Sequence, residues 1–356
     1  MLQFAAVVAG CSGALVYAMQ LAPMFTGGTG GRDLGEWVVI GRHLSTIGWS
    51  HMYDLPPYAD APLVLWLYLP LGQLPHIAAN ALWAGLMVAC ALVAWWLAAP
   101  GEGLPRYAWL AAVIGSFPLA YTLARGQLSG LLLLVLVVAW RLLRAGRPIE
   151  AGVALALALQ LKPTVSILCA LALLLAGERR VFVSWLGASL AFLAVYLVVL
   201  GPSAPFQYVH TARMFLSATR GPALPLLGGP LTGYLLRVPV LAFAASGARR
   251  ANAQRALAIG MFASLLLSPY GEPYDLLPTF LAAWILHREA GGRIAAAVFV
   301  PGIIVWAVFP GSWIAILLWE LCALVVLVVA PTARREARAE VVTEGVFAAA
   351  PASTTA

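Results

Sequence analysis

The sequence predicts an all-α integral membrane protein, a bundle of about 12 transmembrane helices with one further helix lying in the outer membrane interface. Three observations predict it. The composition is 62% hydrophobic and only 10% charged, with a mean hydropathy of +0.91, where a soluble domain is roughly a quarter charged. Apolar runs near the ~20 residues that span a bilayer recur along the chain. The basic residues fall as short pairs and triplets between those runs, the pattern of topology signals.

The elements follow in order. The first helix is expected over 3–23, retained because no arginine or lysine precedes it and no clear cleavage site follows. Residues 25–77 form the longest polar-bearing segment. Further spans are expected over 78–99, 108–124 and 129–145. A short pair, 150–161 and 164–176, is broken at Lys162-Pro163. The next span is 181–200, followed by a loop from 202 to 222. A span interrupted by glycine and proline covers 223–247. A second short pair, 256–268 and 276–287, is split by SPYGEPYD at residues 268–275. The last spans are 294–309 and 313–330. Two regions result: a membrane domain over 1–330 and a disordered tail over 331–356, rich in charge and then in Ala, Ser, Thr and Pro.

Arginine placement orients the chain. The loops near 100–107, 141–148, 177–180, 248–255 and 287–293, with the tail, hold 14 of the 21 basic residues. That side should be cytoplasmic, with both termini on it and residues 25–77 outside. The net charge of +7 and pI near 9.5 therefore do not indicate nucleic acid. All four aspartates (Asp33, Asp54, Asp60, Asp275) and four of the five histidines (His43, His51, His76, His210) fall in outward segments. Carboxylates contribute little to topology, so this bias points to outward-facing chemistry. Cys11, Cys90, Cys169 and Cys322 lie in apolar segments without a CxxC pair, which supports neither a disulfide framework nor a zinc site. No cofactor is expected, and a divalent metal is unsupported.

Four constellations could carry chemistry. In GGRDLGEWVVIGRHLSTIGW, residues 30–49, Leu34, Trp37, Val38, Leu44 and Ile47 share one helical face. Asp33, Glu36 and His43 cluster on another. An interfacial helix presenting carboxylates fits, and so does a plain N-cap role for Asp33. In LALALQLKPTVSIL, residues 155–168, Lys162 is the only lysine of the chain. Some twelve apolar residues put it ~18 Å into the membrane, where a cation costs roughly 2.5–3.5 kcal/mol. It suits a phosphate-binding cation, or a side chain that snorkels to the headgroups. In SPYGEPYD, Tyr270, Glu272, Tyr274 and Asp275 form a dense polar set that reads as a site or as a structural turn with belt tyrosines. The outward turn ARGQLSG, residues 124–130, carries Arg125 and Gln127, and Arg125 suits an interfacial anchor equally well.

No Walker loop, HExxH or GxSxG is present. Nucleotide sugars are not at hand outside a cell, so a lipid-linked phosphate donor fits an outward site. A cation, Lys162 or Arg125, would stabilise the departing phosphate, and a carboxylate would deprotonate the acceptor hydroxyl.

The chain resembles the polyprenol-phosphate-mannose-dependent mannosyltransferases of glycosyltransferase family 87, in the GT-C superfamily. The best stretch is RGQLSGLLLLVLVVAWRLLRAGRPIEAGVALALALQLKPT, residues 125–164. It is similar to the family's N/RGQ turn, Leu-rich span, basic loop, AG-rich helix and KP break. RDLGEWVVIGRHL resembles the Asp-bearing start of the first outer loop, and SPYGEPYD a late Ser-Pro/aromatic/Asp segment. Where the family shows PYD-like and YPP-like sequences, this chain has HMYD and YADAP.

The resemblance implies a GT-C-type bundle and an inverting transfer of mannose. The donor would be a polyprenyl-phosphate sugar, and the acceptor a lipid or a cell-envelope glycan. It implies that Asp33 is the base, and that Lys162 and residues 268–275 line the donor site. The constellations themselves add Glu36, Arg125 and Gln127 as substrate contacts. The expected location is a bacterial cytoplasmic (inner) membrane, with membrane lipids as the surroundings. Two readings compete: a secondary transporter, which broken helices with charges also mark, and a non-catalytic lipid-binding subunit.

Overall fold

A computed structural model of the protein describes residues 32–54, 61–218, 230–268, 272–308 and 313–330. The expected first span and the tail lie outside the described residues. Those described are helical or in turns, and none is in a strand.

The first described helix, α1 (Arg32–Ile47), is the expected amphipathic one. Leu34, Val38 and Leu44 are buried along one face, while Val39 and Arg42 are exposed. Arg42 ties it down, donating from Nη2 to the Leu74 carbonyl at 3.0 Å and from Nε to that of Gly72. A 3-10 turn, Trp49–Asp54, and α2 (Pro62–Tyr68) follow. Helix α2 lies within the polar-bearing segment expected over 25–77. Pro62 supplies a helix-compatible first-turn residue, and Val64, Leu65 and Tyr68 bury its inner face.

The bundle continues with α3 (His76–Ala98), α4 (Leu104–Ile114), α5 (Phe117–Arg125) and α6 (Ser129–Arg144). Next come α7 (Pro148–Leu161), α8 (Pro163–Ser166), α9 (Cys169–Leu175), α10 (Arg179–Leu200) and α11 (Ala204–Ala218). The last are α12 (Pro230–Arg250), α13 (Ala253–Leu267), a 3-10 turn (Pro273–Leu276), α14 (Thr279–Ala290), α15 (Gly292–Val308) and α16 (Trp313–Val329).

Two expectations are corrected. The span over 108–124 is two helices, α4 and α5, bent by 41°. Pro118 cannot donate to a continuing helix, and Ser116 restarts it by accepting from the Leu119 amide. The loop expected over 202–222 contains α11, whose mixed polar and apolar sequence hid its helical pattern.

Helix α3 packs on α6, α6 on α7, α7 on α10, and α9 on α13. Small residues sit at three of these crossings. A Cβ on Gly130 would meet the Met87 carbonyl at 2.5 Å, one on Gly152 that of Val181 at 2.5 Å, and one on Gly260 the Cys169 Cα at 2.6 Å. Close backbone approach of this kind is how helices associate where lipid removes the hydrophobic drive. Helices α3 and α10 are each long and apolar enough to cross a membrane, and the bent pair α4–α5 has the length and composition to do so only when its two helices are taken together. On α10 the side chains of Val183, Leu190 and Val198 are exposed. Such a surface suits hydrocarbon.

Candidate functional site

The site is built on the break between α7 and α8. Proline disfavours the helical conformation in the residue before it. Lys162 is accordingly extended, with φ −158° and ψ 94°. Its amide completes α7 by donating to the Ala158 carbonyl at 2.9 Å, and the Ser166 hydroxyl recovers the Lys162 carbonyl at 2.8 Å. The Leu168 amide donates to Ser264 Oγ on α13 at 2.9 Å, which fixes the broken segment against the bundle.

From this anchored backbone the Lys162 side chain turns inward. Nζ lies 3.0 Å from Asp275 Oδ1 and donates to Gln127 Oε1 at 3.2 Å. It also sits 4.1 Å from the centre of the Tyr274 ring. The Lys162 side chain is 13% exposed and that of Asp275 is 0% exposed. This excludes snorkelling: the cation is compensated inside the protein. Asp275 Oδ2 accepts from the Glu272 amide at 3.1 Å. Oδ1 thus faces the lysine ammonium and Oδ2 the Glu272 amide.

An aromatic stack supports the centre. Phe117 and Tyr121 of α5 stack at 5.4 Å and 21°, and Tyr121 stacks on Tyr274 at 5.7 Å and 14°. The lysine ammonium lies over the last ring of the three, where the ring quadrupole attracts a cation.

The Gly126 turn brings α1 to the same place. Gly126 ends α5 at φ +77°, in the left-handed region. Its carbonyl accepts from Trp83 Nε1 at 2.8 Å and from the Tyr68 hydroxyl at 3.4 Å. A Cβ there would fall 2.4 Å from Leu34 Cβ and 3.2 Å from the Leu34 amide nitrogen. The N-terminal turn of α1 is thus seated on the residue between Arg125 and Gln127. Replacing Gly126 by Ala combines overpacking, ~1–3 kcal/mol, with the left-handed cost of a side chain, roughly 1–2 kcal/mol. Gly126→Ala should lower the unfolding temperature in detergent, and an unchanged transition would count against this seat.

The structure therefore joins Gln127, Lys162, Tyr274 and Asp275 directly. Glu272 is half-buried and linked through its amide. Arg125 is half-buried in the last turn of α5, two residues from Gln127. Glu36 is exposed on α1. The Asp33 backbone lies in the first turn of α1, next to Leu34; its side chain, and the whole of Tyr270, lie outside the described residues.

Sequence reasoning missed the stacked rings of Phe117 and Tyr121, and it missed a buried acid. Glu320, on α16, is 8% exposed, and the field of Asp275 reaches it. The signal was present: a single acid inside WIAILLWELCALVVLVV, and an ionisable group at membrane depth is a site candidate by default. Among the described residues no group of three or more His, Cys, Asp or Glu could hold a metal ion.

The buried centre offers an ammonium, a carboxylate and an aromatic wall, beside the start of an acid-bearing helix. Such a set can hold an anionic group and orient a neutral hydroxyl. No curated protein and no solved structure matches the chain. The family model of glycosyltransferase family 87 matches residues 58–269, more than half of the length. The match includes Gln127, Lys162 and the stretch between them, and ends shortly before Asp275. The chain belongs to glycosyltransferase family 87 and is a glycosyltransferase.

Proposed function

We propose that the protein transfers mannose, with inversion, from a polyprenyl-phosphate donor to a lipid or cell-envelope glycan acceptor. The reaction takes place on the extracytoplasmic side of a bacterial cytoplasmic membrane. The membrane domain, residues 1–330, crosses about 12 times with both termini inside, and the tail over 331–356 takes no part in transfer. The observation that carries this reading is the compensated lysine at a helix break, seated beside the start of α1.

In this reading Asp33 takes the proton of the acceptor hydroxyl. The hydroxyl oxygen bonds to the anomeric carbon as the bond from that carbon to the phosphate oxygen breaks. The electron pair leaves with the polyprenyl phosphate, whose charge Lys162 meets. Tyr274 and Gln127 hold the ammonium in place, Asp275 is its counter-ion between turnovers, and Glu272, Tyr270, Glu36 and Arg125 line the approach of substrate.

The test is sugar transfer in nanodiscs from radiolabelled polyprenyl-phosphate mannose to a lipid extract, with GDP-mannose as the comparison donor. Product from the lipid-linked donor alone is expected. Product from GDP-mannose alone would overturn the donor assignment.

The sidedness has its own test. Ala61→Cys should react with an impermeant thiol reagent added outside intact cells, because residue 61 follows the outward segment that α1 begins. Labelling only after permeabilisation would invert the orientation.

A further inference from the structure

Four arginines converge at the end of the bundle away from Lys162. Gln127 stands just before α6, whereas Arg141 and Arg144 close that helix ~20 Å further along at ~1.5 Å per residue. Asp275 and Arg288 bracket α14 in the same way. Arg106 enters from the first turn of α4. The Cζ atoms of Arg144 and Arg288 lie 4.9 and 5.6 Å from the centre of a shared ring, Trp140. Arg106 lies 5.4 Å from the centre of Trp95 and donates to the Trp96 carbonyl. Arg288 Nη2 donates to the carbonyls of Ala98 and Ala99, both at 3.1 Å. The fields of Arg144, Arg141 and Arg106 all act on Arg288.

Among the described residues, none of the four arginines is ion-paired with a carboxylate. Glu150 is taken by Arg147, and Glu289 by Arg255 and Asn252. Topology signalling accounts for arginines at helix ends, but it works equally well with the charges spread out. Gathering them from three helices, three of them over two tryptophans, adds like-charge repulsion. An anion seated among the guanidiniums offsets that repulsion. Trp96, Leu104 and Tyr107 are all exposed beside the cluster, an apolar and aromatic rim of the kind found at lipid headgroup level.

We propose that Arg106, Arg141, Arg144 and Arg288 form a binding site for the headgroup of an anionic phospholipid. Basic pockets between helices hold such headgroups, guanidinium forks fit phosphate oxygens two at a time, and the exposed rim takes the acyl chains. Four guanidiniums suit a headgroup with two phosphates, so cardiolipin is the probe. The site requires only that this end of the bundle meets a bilayer, and it stands apart from sugar transfer.

Native mass spectrometry of the detergent-purified full chain tests it, with cardiolipin, phosphatidylcholine and inorganic phosphate as probes. The wild type should retain cardiolipin over phosphatidylcholine, and Arg141→Gln/Arg144→Gln/Arg288→Gln should lose that preference by roughly 10- to 100-fold. Arg249→Gln/Arg250→Gln, exposed at the end of α12, should leave it unchanged. Should the triple variant fail to fold, the exposed pair Arg141→Gln/Arg144→Gln carries the test, with a smaller loss expected. Equal retention in wild type and variants overturns the proposal, as does an equal loss in the Arg249/Arg250 control. Displacement of cardiolipin by millimolar inorganic phosphate overturns the lipid assignment in favour of a free-anion site.

Discussion

Asp33→Asn should keep the fold and lose most turnover, ~10²–10⁴-fold for the removal of a general base. Two readings of Asp33 separate on this variant. Asparagine caps a helix about as well as aspartate, so a residue that only starts α1 would tolerate the change. An amide cannot take a proton, so a base would not. The seat of Leu34 on Gly126 puts the start of α1 against the turn whose Gln127 holds Lys162. A base at position 33 would then work beside the donor phosphate. Sugar transfer and donor binding should be measured separately, with binding retained and transfer lost. Full activity in Asp33→Asn would end the assignment and move attention to Glu36 and Asp275.

The second large effect concerns the buried pair. Asp275→Ala leaves the Lys162 ammonium in a nearly sealed site without its counter-charge, and breaking a buried pair from one side costs roughly 3–5 kcal/mol. Lys162→Met leaves the Asp275 carboxylate in the same position, so loss of activity in that variant alone mixes stability with chemistry. The double variant Lys162→Met/Asp275→Asn removes both charges. It should regain much of the lost stability, since an uncharged pair has no desolvation debt, yet still fail to bind the polyprenyl-phosphate donor. Lys162→Arg should rescue poorly, because the nearly sealed site holds a compact ammonium between Gln127, Asp275 and Tyr274, and a larger planar guanidinium has a different donor geometry. Thermal unfolding in detergent and donor KM read the two effects independently. Additive losses in the double variant would show that the pair is not energetically coupled, and unchanged donor binding in it would remove Lys162 from the donor site.

Much of the site was legible because membranes penalise charge. A lone lysine before a proline deep in an apolar run, and two carboxylates between prolines in a second broken run, are costly enough to stand out singly. The structure joins the lysine to one of those carboxylates, Asp275, at 3.0 Å. Gln127 was legible only through its turn, since a glutamine carries no such penalty. The face of α1 was readable from its period, as Leu34, Val38 and Leu44 confirm. What escaped depended on contacts distant in sequence. The stack of Phe117 and Tyr121 on Tyr274 joins residues more than 150 positions apart, and nothing local announces it. Glu320 escaped for a different reason: its span has no proline or glycine to mark a break, so its single acid passed as an ordinary helix residue.

The confinement of Lys162 has a thermodynamic consequence for whatever anion arrives. A lysine side chain carries about 2 kcal/mol of rotamer entropy, and on an open surface a ligand that fixes the ammonium must offset that loss itself. Here folding has already fixed it, through the Gln127 amide oxygen, the Asp275 carboxylate and the Tyr274 ring. An anion reaching Nζ meets a charge with its disorder already removed. At 1.4 kcal/mol per decade, that preorganisation alone is worth roughly 30-fold in affinity.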